Sequence, residues 1–100
     1  MNIFNNGLTS PEGKETFLQL VQIDTTRIEL IRSCSFKNGA WYDQEDYEWV
    51  VLLQGHATLA FEDKRIHLQS GDTLEITPHQ KHRVLETSED ALWLAVHINS

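Results

Sequence analysis

The feature that most constrains this chain is a period of two. Apolar residues recur in short segments, and each segment ends at a turn-forming residue or pair. Nowhere does an apolar 3.6-residue period persist long enough to predict a helix. Phe17 to Asp24 (FLQLVQID) alternates loosely, and Arg27 to Phe36 (RIELIRSCSF) sets Ile28 and Leu30 against Arg27 and Glu29. Lys37-Asn38-Gly39 is a turn signal. Glu48 to Gln54 (EWVVLLQ) is apolar on both faces, as a strand covered on both sides should be, and Gly55 breaks it. Ala57 to Glu62 and Arg65 to Gln69 flank Asp63-Lys64, a hairpin turn, and Ser70-Gly71-Asp72 is another turn. Thr73 to Thr77 stops at Pro78, which cannot donate to a ladder. His82 to Thr87 and Ala91 to Ile98 (ALWLAVHI) complete the set. Turns spaced roughly 8–12 residues apart predict an all-β sandwich or barrel. A closed barrel also protects the edges of strands this apolar.

Size and charge narrow the possibilities further. One hundred residues, 40% hydrophobic and 23% charged, make one globular domain rather than a disordered chain. Residues 1–14 are polar and contain Gly, Asn and Pro, which predicts an N-terminal arm, with the barrel domain over 15–100. Eight Lys and Arg against fifteen Asp and Glu give a net charge of -7, which argues against nucleic acid as a partner. No apolar run approaches the roughly 20 residues of a membrane helix, so no membrane partner is expected. The opening MNIFNNGLTS lacks the basic and apolar regions of a secretory signal. Cys34 is the single cysteine, so no intrachain disulfide forms, and a reducing, cytoplasmic location is expected. Cys34 itself is expected to be an inert strand residue.

Two segments carry a resemblance. Gly39 to Gly55 (GAWYDQEDYEWVVLLQG) and Gly71 to Val84 (GDTLEITPHQKHRV) resemble the two motifs of the cupin family. Glu48, with six residues between it and Gly55, fits the glutamate and glycine of the first motif. Gly71-Asp72 and His82, eleven positions from Gly71, fit the ends of the second. Pro78 lies one residue past the motif proline, and His79 stands where the family usually has glycine. The resemblance covers residues 27 to 98 and implies an antiparallel jelly-roll β-barrel with a pocket at its mouth. It also implies a homodimer, which would account for strands that are apolar on both faces. Metal-binding members hold one divalent ion with two first-motif histidines, the glutamate and the second-motif histidine. Here those two histidines are absent. Their places fall on Tyr42 and Gln44, or, with a gap one residue longer, on Trp41 and Asp43.

A metal centre would therefore need another donor set. Glu48 and His82 remain, with His79, His97 and Gln44 as candidates for a further ligand and Asp43 as a further carboxylate. His79 and His82 form an H-x2-H pair after Pro78. His97 shares a strand face with Trp93 and Ala95, so it can point into the barrel. Glu48, His82 and one more histidine would make a two-histidine, one-carboxylate set. Zinc, iron, nickel or manganese would suit it. The run from Trp41 to Glu48 holds four carboxylates and three aromatics, and Trp41, Tyr42, Asp43 and Tyr47 are candidate ligand-binding residues at a pocket rim. His56 and His67 lie in or beside hairpins and are expected to be solvated. Trp49 and Trp93 are expected in the core or a dimer interface.

Three functions follow. The first is a small-molecule-binding barrel with a divalent metal, for which the resemblance implies oxygenase or isomerase chemistry. The second is a metal-free binding module for a small ligand. The third is a dimeric interaction domain with a vestigial pocket.

Overall fold

The computed structural model describes residues 1–99. Eight strands follow one another: β1 (Lys14–Ile23), β2 (Thr26–Cys34), β3 (Tyr47–Gln54), β4 (His56–Phe61), β5 (Arg65–Gln69), β6 (Thr73–Ile76), β7 (His82–Thr87) and β8 (Ala91–Ile98). All the eight segments expected from alternation are strands, and no helix occurs among the described residues. Every strand pair is antiparallel. A five-stranded sheet runs β1-β2-β8-β3-β6, and a three-stranded sheet runs β5-β4-β7.

The ends of strands are set by backbone conformation. β1 begins three residues earlier than alternation suggests, at Lys14, so the strand takes the last residue of the expected arm. β2 stops at Cys34, because Ser35 turns to a φ of 49°. Asp24 and Thr25 connect β1 to β2, with Asp24 at a φ of 50°, a region aspartate tolerates better than most residues. Gly55 alone joins β3 to β4 and carries the chain from one sheet to the other. Its φ is 83°, and a Cβ there would collide with Ser88 Oγ and sit 2.8 Å from Asp90 Oδ1. Only glycine fits that corner.

The core lies between the sheets. Val50 and Leu52 from β3, Trp93 and Ala95 from β8, and Ala57 and Leu59 from β4 are buried there, with Leu68 and Ala91. Trp93 donates its indole N–H to Ser33 Oγ at 3.1 Å, which satisfies the polar end of a buried ring. Trp93 is thus a core residue, whereas Trp49 projects from the opposite face and is 37% exposed. Three strands cannot cover five. On β1 the side chains opposite the small sheet's uncovered flank stay open, and Phe17 remains 50% exposed although it faces inward. An opening between the sheets results, and it reaches down to the packed core.

Candidate functional site: a cavity between the sheets

Segment 40–48 makes one wall of that opening. Tyr42 forms an isolated bridge with His82, its N–H donating to the His82 carbonyl at 2.8 Å and its carbonyl accepting from His82 N–H at 3.1 Å. The segment is extended there, so side chains alternate. Tyr42, Gln44, Asp46 and Glu48 turn inward, while Trp41, Asp43 and Tyr47 turn out. Of the two pairs left open by the sequence, Tyr42 and Gln44 both line the cavity between the sheets, whereas Trp41 and Asp43 do not. Tyr42 stacks on the His82 ring with centroids 5.7 Å apart.

The cavity has a volume of about 330 Å3. Ile31, Val50, Leu59, Val84 and Trp93 give it an apolar floor. Tyr42, Gln44, Glu48, His82 and His97 reach it from the sequence-derived set. Arg27, Glu29 and Glu15 also line it. These three were not foreseen. Glu29 could have been found, since it shares an inward strand face with Ile31 and Ser33.

His97 is the most constrained side chain of the site. Nδ1 lies 3.0 Å from Asp46 Oδ2, and Nε2 lies 3.1 Å from Glu29 Oε1 and 3.8 Å from Glu48 Oε2. Both ring nitrogens face carboxylate oxygens, and only the imidazolium carries two N–H donors. Burial opposes its charge. The hydrogen bond to Glu29 and the nearby Glu48 and Glu29 carboxylates outweigh that burial and the repulsion from Arg27, so its pKa is raised. Glu48 is itself buried, and its Oε1 accepts from Gln44 Nε2 at 3.1 Å.

His82 is buried in a different way. Its Nδ1 donates to the Gln80 carbonyl at 2.9 Å. That bond assigns the proton to Nδ1 and leaves Nε2 with its lone pair. No protein hydrogen bond reaches Nε2 among the described residues. Glu15 approaches from the β1 side. Burial raises its pKa, with the Ser33 hydroxyl, which donates to Glu15 Oε2 at 2.7 Å, acting in the opposite direction.

The remaining sequence-derived residues lie elsewhere. His79 is on the surface, its side chain 65% exposed, with Nδ1 2.7 Å from Asp43 Oδ1. Its φ of 61° is the left-handed conformation for which glycine is usual at this place. Tyr47 donates its hydroxyl to Glu75 Oε2 at 2.6 Å on the outer face of the large sheet. Trp41 and Asp43 line a second, outer cleft. His56 and His67 are exposed, as expected.

The divalent-metal expectation can be tested against this donor chemistry. A metal takes neutral imidazole and free carboxylate lone pairs. His97 presents N–H groups at both nitrogens, Gln44 presents its amide nitrogen to Glu48, and His79 faces away. His82 Nε2 is then the sole imidazole lone pair in the cavity. No group of three or more His, Cys, Asp or Glu side chains among the described residues is arranged to hold an ion. The expected set of Glu48, His82 and a further ligand from His79, His97 or Gln44 does not assemble here, because carboxylates already claim the nitrogens of His97.

Fold and cavity together define a small antiparallel β-barrel with its polar chemistry gathered at one end. The chain belongs to the cupin family, whose Cupin domain description matches residues 37–97. Among solved structures, it resembles a protein from Ralstonia eutropha JMP134 provisionally assigned as a mannose-6-phosphate isomerase. The two share 31% identity over 100% of this chain and 97% of that one, with a TM-score of 0.88. A cupin superfamily protein from Desulfitobacterium hafniense DCB-2 shares 23% identity over 93% and 84% of the two chains, with a TM-score of 0.76. KdgF from Halomonas sp. shares 16% identity over 92% and 84%, with a TM-score of 0.74. The last two show the fold alone. No functionally curated protein matches the chain.

Proposed function

We propose that the cavity binds a small, polyhydroxylated molecule without a metal ion. The observation that carries this reading is the clamp on His97, held by Asp46 at 3.0 Å and Glu29 at 3.1 Å. It converts a would-be ligand into a fixed cation whose two N–H groups are both engaged. Around it stand acceptors (Glu29, Glu48 and His82 Nε2) and donors (Arg27, Gln44), over an apolar floor that suits the carbon face of a ring. At about 330 Å3 the cavity sits at the low end of the range for small-molecule sites, about 300–1,000 Å3. Carboxylates outnumber cations in the lining, which disfavours an anionic ligand in the barrel itself.

A second reading is proton-transfer isomerisation of such a ligand. Two groups that can carry a proton, His82 Nε2 and the burial-raised Glu15 carboxyl, line the same cavity. The similar protein provisionally assigned as a sugar-phosphate isomerase favours the same class of chemistry. A homodimer in a reducing compartment is the accompanying proposal. Apolar side chains of β3 and β8 on the outer face support the dimer, and the free Cys34 fits such a compartment.

A thermal-shift screen of sugars, polyols and sugar acids tests the binding reading, run with chelator and with each of zinc, iron, nickel and manganese. A ligand at 100 times its Kd adds about 2.7 kcal/mol, which is a rise of roughly 10–20 °C in Tm for a domain of this size. The rise is expected to survive chelation and to vanish in the double variant His82→Asn, Glu48→Gln. One equivalent of tightly held metal, with ligand binding that disappears on its removal, would sink the metal-free reading.

A further inference from the structure

The cations of this acidic chain are not spread evenly. Lys64, Arg65, Lys81 and Arg83, four of its eight Lys and Arg residues, line one open cleft of about 860 Å3 outside the barrel. Its floor is the outer face of the three-stranded sheet. Ala60 of β4 is paired with Arg65 of β5 on one side and with Arg83 of β7 on the other. Paired residues project to the same face, so the two arginines flank a small residue from strands about 10 Å apart. The loop residue Trp41 walls the cleft, 49% exposed, with Arg83 Cζ 5.5 Å from its ring centroid. Tyr42 adds aromatic surface, and Lys64 Nζ lies 5.6 Å from the centroid of the buried Phe61 ring.

These cations lack carboxylate partners. None of the four forms an ion pair among the described residues. Arg83 Nε is buried with no hydrogen-bond partner. The chain carries fifteen carboxylates that could neutralise them, yet only Asp43 and Glu62 border the cleft, and Asp43 is engaged by His79 at 2.7 Å. Gathering like charges costs stability unless an outside anion answers them. Guanidinium groups match phosphate oxygens in two-pronged geometry, and exposed indole and phenol faces accept a planar ring.

We propose that this outer cleft is a second binding site, outside the barrel cavity, for a small phosphorylated ring compound. The phosphate sits against Arg65 and Arg83, Lys64 and Lys81 add charge at the rim, and the ring lies on Trp41 and Tyr42. A small ligand fits better than a nucleic acid strand. The cations are confined to one cleft in a chain of net charge -7, so a strand leaving it would run onto acidic surface.

Phenyl phosphate and inorganic phosphate, titrated into the full chain at low ionic strength, test this by tryptophan fluorescence and amide chemical shifts. Both should saturate, phenyl phosphate the more tightly, with shifts centred on Trp41, Ala60 and Arg83. Arg65→Gln with Arg83→Gln should weaken phenyl phosphate by about tenfold or more, the loss of charge-assisted bonds. Lys14→Gln with Lys37→Gln changes net charge equally and should leave the affinity unaltered. If the arginine pair fails to fold by circular dichroism, the exposed pair Lys64→Gln, Arg65→Gln makes the same comparison. Absence of saturable binding, equal losses in the cleft and control variants, or shifts centred on the barrel cavity would overturn the proposal. Displacement of phenyl phosphate by a more tightly bound single-stranded oligonucleotide would overturn it in favour of a nucleic-acid surface.

Discussion

Replacing His97 by Gln removes the charge at the centre of the barrel's polar end. Gln keeps a similar length and one donating group, so it restores at most one of the two carboxylate contacts at 3.0 and 3.1 Å. Glu29, Asp46 and Glu48 then lose the cation they share, and Arg27 stays 4.0 Å from Glu29 Oε2 alone. Removing one partner of a fully buried pair costs about 3–5 kcal/mol. The acidic side chains here keep 16%, 18% and 11% of their exposure, so solvent takes up part of the loss. A cost of about 2–3 kcal/mol follows, and with it a drop of roughly 10–20 °C in Tm.

The dependence on pH separates this account from a mere packing loss. The folded pKa of His97 is raised above 6.5, through its Glu29 hydrogen bond and the Glu48 and Glu29 charges acting against burial. A raised cationic group contributes fully below its unfolded value. The contribution fades as pH rises through the folded value. Urea unfolding of wild type and His97→Gln, followed from about pH 6 to about pH 9, should show a stability gap that is widest at the acid end and narrows with rising pH. A gap that is constant across this range, or that widens, would refute the imidazolium clamp.

Gly55→Ala should destabilise the fold by about 2 kcal/mol or more, measured by urea midpoint, because the φ of 83° is strained for alanine and the new methyl strikes Ser88. Glu15→Gln should stabilise the protein at neutral pH and match wild type below about pH 4. The folded carboxyl is raised by burial, so its ionised form is penalised only above its unfolded value of 4.5. If the outer sheet face is the dimer interface, Trp49→Glu with Val96→Glu, adjacent in the β3–β8 register, should yield a monomer by sedimentation while far-UV circular dichroism is retained. A wild-type monomer at the same concentration would exclude that interface.

How much of this was legible in the sequence differs between strands and site. β5, β7 and β8 have the boundaries that alternation and turn residues suggest, because period two and the Gly, Pro and Asp punctuation are local signals. Ser35 and Asp24 at positive φ escaped notice, since neither residue is a glycine. The inward facing of His97 was open to reading from its company with Trp93 and Ala95. Its occupation was not. Asp46 lies 51 positions away in sequence and Glu29 lies 68, and only the register of β2 against β8 brings Glu29 beside the ring. The outer cleft was invisible for the same reason: Arg65 and Arg83 become neighbours of one alanine only through ladders on either side of β4.

One short segment explains why the two candidate sites are adjacent yet chemically opposite. Backbone bridges hold residues 37–42 along the edge of β7, where Lys37 meets Glu86 and Tyr42 meets His82. An extended chain there must send alternate side chains to opposite sides. Asp46 and Glu48 bring carboxylates to His97, Gln44 donates to Glu48, and His82 Nε2 is left free. Trp41, on the other parity, carries an aromatic face to Arg83 outside. Tyr42 touches both cavities. Its stacking on His82 ties the wall of the acidic interior to the rim of the basic cleft. A ligand that displaced Tyr42 from either side would therefore disturb the other. Tyr42→Ala should accordingly weaken binding at both sites, whereas His82→Asn should affect the barrel ligand and Arg83→Gln the outer one. Titrating each variant with a barrel ligand and with phenyl phosphate checks this, and strictly independent losses in Tyr42→Ala would show that the shared wall does not couple them.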